Sequence, residues 1–121
     1  MIKYFLAPDI EEKARHIVQQ TGMGRDFSRI HFIRSKDSQS RRIIARCHGM
    51  PKVLQLAMQL KAHYVIEIIS ERFDRMNEKE QAKVIIHELL HIPAGMKGGF
   101  RQHDYVCDRN VEEIYRNYVK Q

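Results

Sequence analysis

Apolar residues return at helical spacing in three stretches of the chain. In PDIEEKARHIVQQTG (8–22), Ile10, Ala14, Ile17 and Val18 recur every three or four positions, which predicts a helix with His16 on its outer flank. Asp9 followed by Glu12 reads as a capping box, and Gly22 as the stop. In EKEQAKVIIHELLHI (78–92), Ala82, Ile85, Ile86 and Leu89 form a second stripe. Asn77, with Glu80 three residues on, gives it a start signal, and Pro93 ends it. The closing DRNVEEIYRNYVKQ puts Val111, Ile114, Tyr115 and Tyr118 on one face of a third helix.

Between the first two stripes the pattern shortens. RIHFIRS (29–35), RRIIARC (41–47), VLQLAMQL (53–60) and YVIEIIS (64–70) are apolar or β-branched runs separated by the breaks KDSQS, HGMP and KAH. They predict strands, although Leu, Ala, Met and Gln would equally favour a short helix at 53–60. PAGMKGGFRQHDY (93–105) reads as a glycine-rich loop. Helix, several strands, helix, loop, helix is the order of an α+β domain, with helices packed on a small sheet. Its length of 121 residues is that of a single domain, 1–121, with one modest core.

Composition narrows the setting. No apolar run approaches bilayer length, and the short apolar start of MIKYFLAPDIEEK leads straight into acidic sequence, unlike a signal peptide, so no membrane is expected. Cys47 and Cys107 lie far apart and form no C-x-x-C pair, which leaves a disulfide scaffold and a zinc ribbon unsupported and a cytoplasmic location as the default. The formal charge is +6, and much of the excess falls in RSKDSQSRRIIARCHGMPK (34–52). Such a stretch could attract phosphate backbones and hold nucleic acid weakly, or could simply protect a solvated strand edge.

The chemistry is concentrated in VIIHELLHIPAG (84–95), where His87, Glu88 and His91 stand as H-E-x-x-H. Residues four apart on a helix project from one face, so two imidazoles at this spacing can reach a single zinc ion. Glu88, one residue on, is turned by roughly 100° and can hold a water without binding the metal itself. Zinc acidifies such a water to a pKa of about 7, and a carboxylate beside it can take the proton. With seven histidines in the chain, the pattern should arise by chance in roughly 3 shuffled chains in 100. Chance does not also explain its position inside the best-capped helix.

A catalytic zinc needs a third protein ligand and one open position. The pattern H-E-x-x-H-x-x-G-x-x-H requires glycine at 94 and histidine at 97, where this chain has Ala94 and Lys97, so that class is excluded. His103 follows a turn whose glycines let the chain fold back under the helix. Glu112 or Glu113 would instead give two histidines and a glutamate, though acidic residues early in a helix also complement its dipole. Asp104 could orient a ligand histidine. His63, Tyr64 and Tyr105 are candidate oxyanion donors, and Arg101 a candidate partner for a substrate carboxylate.

YVIEIISERFDRM, VIIHELLHIP and GGFRQHDYV together resemble a small metallopeptidase family of archaea and phages, over roughly residues 28–107. The combination HELLHIP plus GG-x-R-x-H is far more specific than the five-residue motif alone. The resemblance implies a zincin-like fold: a small twisted mixed sheet with an N-terminal helix, an active-site helix and a C-terminal helix. It also implies zinc on His87, His91 and His103, Glu88 as general acid/base, and a peptide or protein as substrate. The more distant SprT-like proteases, which cut proteins crosslinked to DNA, place a third histidine similarly. In zincins the substrate lies along a strand edge that precedes the metal helix, which points to the Val53–Ser70 region. A metal-dependent nuclease and a non-catalytic zinc or nucleic-acid-binding module are the rival readings.

Overall fold

The structure is a computed structural model that describes residues 1–38, 42–99, 101–103 and 105–120. Its elements are β1 (Lys3–Leu6), α1 (Pro8–Thr21), a 3₁₀ turn (Phe27–Arg29), β2 (Ile30–Lys36), β3 (Ala45–Gly49), α2 (Lys52–Met58), β4 (Tyr64–Ile69), α3 (Ser70–Phe73), α4 (Glu78–His91) and α5 (Asp108–Val119). The strands form one mixed sheet in the order β1-β2-β4-β3. β2 and β4 run parallel, from Ile30↔Tyr64 to Ser35↔Ile69, while β1 and β3 flank them antiparallel. The domain is α+β, as its pattern predicts.

Alternation along the two central strands decides where the core sits. Ile30 and Phe32 of β2 and Tyr64, Ile66 and Ile68 of β4 are buried, and alternate residues share one face of a sheet. In the same cluster are Ile10, Ala14 and Ile17 of α1 and Ile85, Ile86 and Leu89 of α4. Each of these isoleucines and the leucine contributes roughly 1.5–3 kcal/mol by leaving water. The result is that α4 has one face fixed in the core. His16 is exposed, as expected, and its Nδ1 lies 2.8 Å from the Tyr118 hydroxyl on α5.

Three local expectations need correction, and at 53–60 the helical alternative holds. The N-cap of α1 is Ala7, with no side-chain cap, and Asp9 instead pairs with Arg34 at 2.7 Å. Pro8 in the first turn, with its φ already helical, starts this helix without a capping box. The 53–60 run is helical: α2 ends at Gln59 in a left-handed conformation (φ 55°), and none of its residues is buried. Ser70 opens α3 rather than closing β4. Finally, the Val53–Ser70 region does not supply a sheet edge, because its one strand, β4, lies between β2 and β3. The edge on that side is β3.

Candidate metal centre

The metal-helix candidate, α4, begins as its sequence predicts. Asn77 accepts from the Glu80 amide at 2.8 Å, and the Glu80 carboxylate accepts from the Asn77 amide at 3.2 Å, closing a capping box. Ile92 caps the other end, ahead of Pro93. With Ile85, Ile86, Leu89 and Leu90 buried, His87 and His91 emerge half-buried from the helix. Their ring centroids lie 5.1 Å apart.

The loop after α4 returns to this pair. Gly98 and Gly99 adopt φ of 108° and 77°, and a Cβ built on Gly98 would meet the Gln55 side chain at 2.9 Å. The positive φ strains any residue with a side chain there, and the Gln55 amide would also have to move aside. The buried Tyr64 hydroxyl ties the turn to the sheet: it accepts from the Gly98 amide at 3.0 Å and donates to the Gly99 carbonyl at 3.2 Å. Beyond the turn, the Arg101 amide donates to the His91 carbonyl, and His91 Nδ1 donates to the Arg101 carbonyl, both at 2.8 Å. His103 then stands with its ring 5.0 Å from that of His91 and 5.6 Å from that of His87. One ring nitrogen from each of the three lies within 4.8 Å of the other two, so the set could hold a metal ion.

The donor chemistry suits that role. A carbonyl can only accept, so the His91–Arg101 bond fixes the proton on Nδ1 and leaves Nε2 as the atom His91 offers to a cation. Burial, and next the neighbouring His91 and His103, lower the pKa of His87 and keep it in the neutral form that ligates. Glu88 is 6% exposed, and burial pushes its carboxyl up to about 7. Its Oε2 is 4.0 Å from His87 Nε2, too far for a hydrogen bond. Cys47, facing the same cleft from β3, is pushed up to about 12 by burial and by Glu88. In the metal-free chain it is a neutral thiol.

Other candidates go elsewhere. Glu112 pairs with Lys83 at 2.5 Å, and Glu113 is exposed. His63 lies 2.9 Å from His31, ring stacked on ring. Tyr64 is fully buried on the glycine turn, which removes it as an oxyanion donor. Arg101, by contrast, stays at the cleft, which it lines, with its guanidinium over the Tyr105 ring at 3.7 Å. Asp104 falls outside the described residues. Within the basic 34–52 stretch, Arg34 bridges Asp9 and Asp74, and His48 pairs with the buried Glu67 at 2.8 Å. Arg41 also lies outside the described residues.

Two contributors escaped the sequence. The Arg101 carbonyl is a backbone group with no signature, and the Tyr64 tether joins positions 34 residues apart. Tyr64→Phe should cost about 1–2 kcal/mol, because it leaves the Gly98 amide unpaired beside the core. Urea denaturation of both proteins measures this directly.

The cleft, about 310 Å³, runs between Ala45–Cys47 of β3 and the three histidines. A small α+β domain with a helix-borne histidine pair and a third histidine returned by a loop has the architecture of a metal-site protein. The family model described as "Putative phage metallopeptidase" matches residues 2–121, and the chain belongs to that family. Among curated proteins and among solved structures, none matches it.

Proposed function

We propose that the chain is a zinc-dependent peptidase of the zincin type, hydrolysing peptide bonds in the cleft beside β3. The observation that carries the reading is the convergence of His87, His91 and His103, with the proton of His91 held on Nδ1 by a carbonyl. Three imidazoles suit zinc well among the biological divalent ions. Held by His87, His91 and His103, zinc would supply Lewis acidity to the reaction.

The chain's own residues supply the rest. Glu88 takes a proton from the attacking water as its oxygen bonds to the carbonyl carbon, and returns a proton to the amine as the C–N bond breaks. A carboxyl raised toward 7 by burial is suited to both transfers near neutral pH. The edge of β3, Ala45–Gly49, holds the substrate extended through main-chain hydrogen bonds. Nucleic acid as the substrate has less support, since Arg34 and His48 of the basic stretch are already engaged with carboxylates.

The test is hydrolysis of an unfolded protein such as casein by the purified chain with one equivalent of zinc. Cleavage should stop with a chelator and return with added zinc. Zinc-loaded protein that leaves casein and peptides intact while cutting DNA or RNA would overturn the reading.

A further inference from the structure

α2 is apolar on almost every side, and none of its residues is buried. Only Gln55 turns inward, donating to the Met50 carbonyl and lying against the Gly98 turn. At about 100° per residue, Val53 and Ala57 point away from Gln55, and Leu54, Leu56 and Met58 point to its flanks. All five are exposed, Val53 by 72% and Leu56 by 81%, as is Leu60 beyond the helix end. A helix that is apolar all round is ordinarily buried, in a protein core or in lipid. The charge around it has one sign. No Asp or Glu stands between Asp37 and Glu67, where Arg41, Arg42, Arg46, Lys52 and Lys61 all fall. Beside α2 lies a cavity of about 330 Å³ whose lining includes Gln55, Arg29, Lys61 and Lys97 and no carboxylate. Arg29 is joined to Asp26 and to the Ala62 and Met96 carbonyls. Among the described residues, Lys61 and Lys97 are therefore the cavity's unengaged cations.

We propose that α2 and the basic cavity beside it seat the domain on an anionic lipid surface. The apolar side chains enter the boundary between headgroups and acyl chains, and Lys61 and Lys97 meet the lipid phosphates. The occupant follows from the shape and the sign of the patch. A protein groove that receives a helix covers one stripe of it, whereas a fluid apolar phase covers the far side and both flanks of α2 at once. A second copy of this chain would bring Lys52, Lys61 and Lys97 against like charges, which opposes association. Anionic headgroups attract the same lysines. The sequence predicts no membrane because no run can cross one, and no helix among the described residues is long and apolar enough to do so. Lying on one surface needs no such helix. Lys97 and Gly98 belong to the loop that returns His103, so docking turns that side of the metal site toward the lipid.

Vesicle flotation of the full chain tests this without catalysis or zinc. Vesicles of phosphatidylcholine alone are compared with an equimolar mixture of phosphatidylcholine and phosphatidylglycerol. The chain should float with the mixed vesicles and stay behind with the neutral ones, and added salt should weaken the binding. Replacing both Val53 and Leu56 by serine should weaken it at least about tenfold, since each side chain then buries no apolar surface in the lipid. Lys61→Gln and Lys97→Gln should each weaken it about fivefold. All four side chains are exposed, so the variants should fold, and the double serine variant should hydrolyse casein in solution as well as wild type does. No flotation with either vesicle would overturn the proposal, as would flotation that persists in the double variant. Sedimentation velocity without lipid covers the protein occupants. A dimer that the double variant loses would assign α2 to a second copy and overturn the lipid surface. Flotation by a chain that cuts no peptide would keep the lipid site and overturn the peptidase reading alone.

Discussion

Glu88→Gln should lower peptide hydrolysis by about 10²–10⁴-fold while making the metal-free chain more stable at pH 8. The first effect follows from removing the only carboxylate beside the histidine cluster among the described residues lining the cleft. The second follows from burial. Glu88 titrates at about 7 in the folded chain against 4.5 for an exposed glutamate, so between those values the native state binds more protons than the unfolded one. A raised carboxyl pKa contributes stability fully below pH 4.5, and that contribution is lost as pH rises through 7. The difference corresponds to about 3 kcal/mol. Glutamine stays neutral throughout, so the variant escapes the penalty. Urea titrations in the presence of a chelator should give similar stabilities for the two proteins at pH 4 and a gap of up to about 3 kcal/mol at pH 8. A divalent cation favours the ionised carboxylate, so the gap should shrink in zinc. Equal stability at both pH values would mean that Glu88 is not held in a desolvated site. Retained hydrolysis would remove it from the chemistry.

What could be read from the chain was set by local spacing. The capping box of Asn77 and Glu80, the buried stripe of α4 and the shared projection of His87 and His91 all act within a turn or two, and each is present as the pattern predicts. Elements whose reasons lie elsewhere in the chain were hidden. β1 has all four residues exposed, so its sequence shows no buried alternation, and it exists because the outer edge of β2 accepts it. α2 reads as an apolar run that a core would bury, yet its apolar residues face solvent and only the half-buried Gln55 reaches back, bonding the Met50 carbonyl at 3.0 Å. The Asp9 side chain left the expected cap because Arg34, which is 17% exposed and also bridges Asp74, offers a charged partner across the fold.

The site follows the same division. The helix places two histidines by period alone, but the position of His103 depends on a chain of non-local contacts. Tyr64 holds the glycine turn, the turn sends Arg101 back along the end of α4, and the paired Arg101 backbone sets both the His91 tautomer and the start of the return segment. Glycine spacing could suggest that the loop turns; it could not say which hydroxyl anchors it.

His103→Ala should weaken zinc binding by more than about 100-fold, beyond the loss seen when only a supporting contact is removed. Three imidazoles bring the ligand number to that of a catalytic zinc site, and two cannot. His103 is exposed on a loop and contributes nothing to the core, so the variant should fold. Thermal melts with and without zinc provide the readout. A ligand that binds only the native state adds about 4 kcal/mol at a thousand times its dissociation constant, so wild type should melt well above its metal-free form while His103→Ala shows little shift. Glu112→Gln and Glu113→Gln supply the contrast. The Glu112 carboxylate is already joined to Lys83, and both variants should retain the full zinc-induced shift. If His103→Ala kept its zinc and a glutamate variant lost it, the site would be two histidines and a glutamate. The loop would then have to hold His103 away from the ion, and α5 would have to swing a carboxylate off Lys83 to reach it.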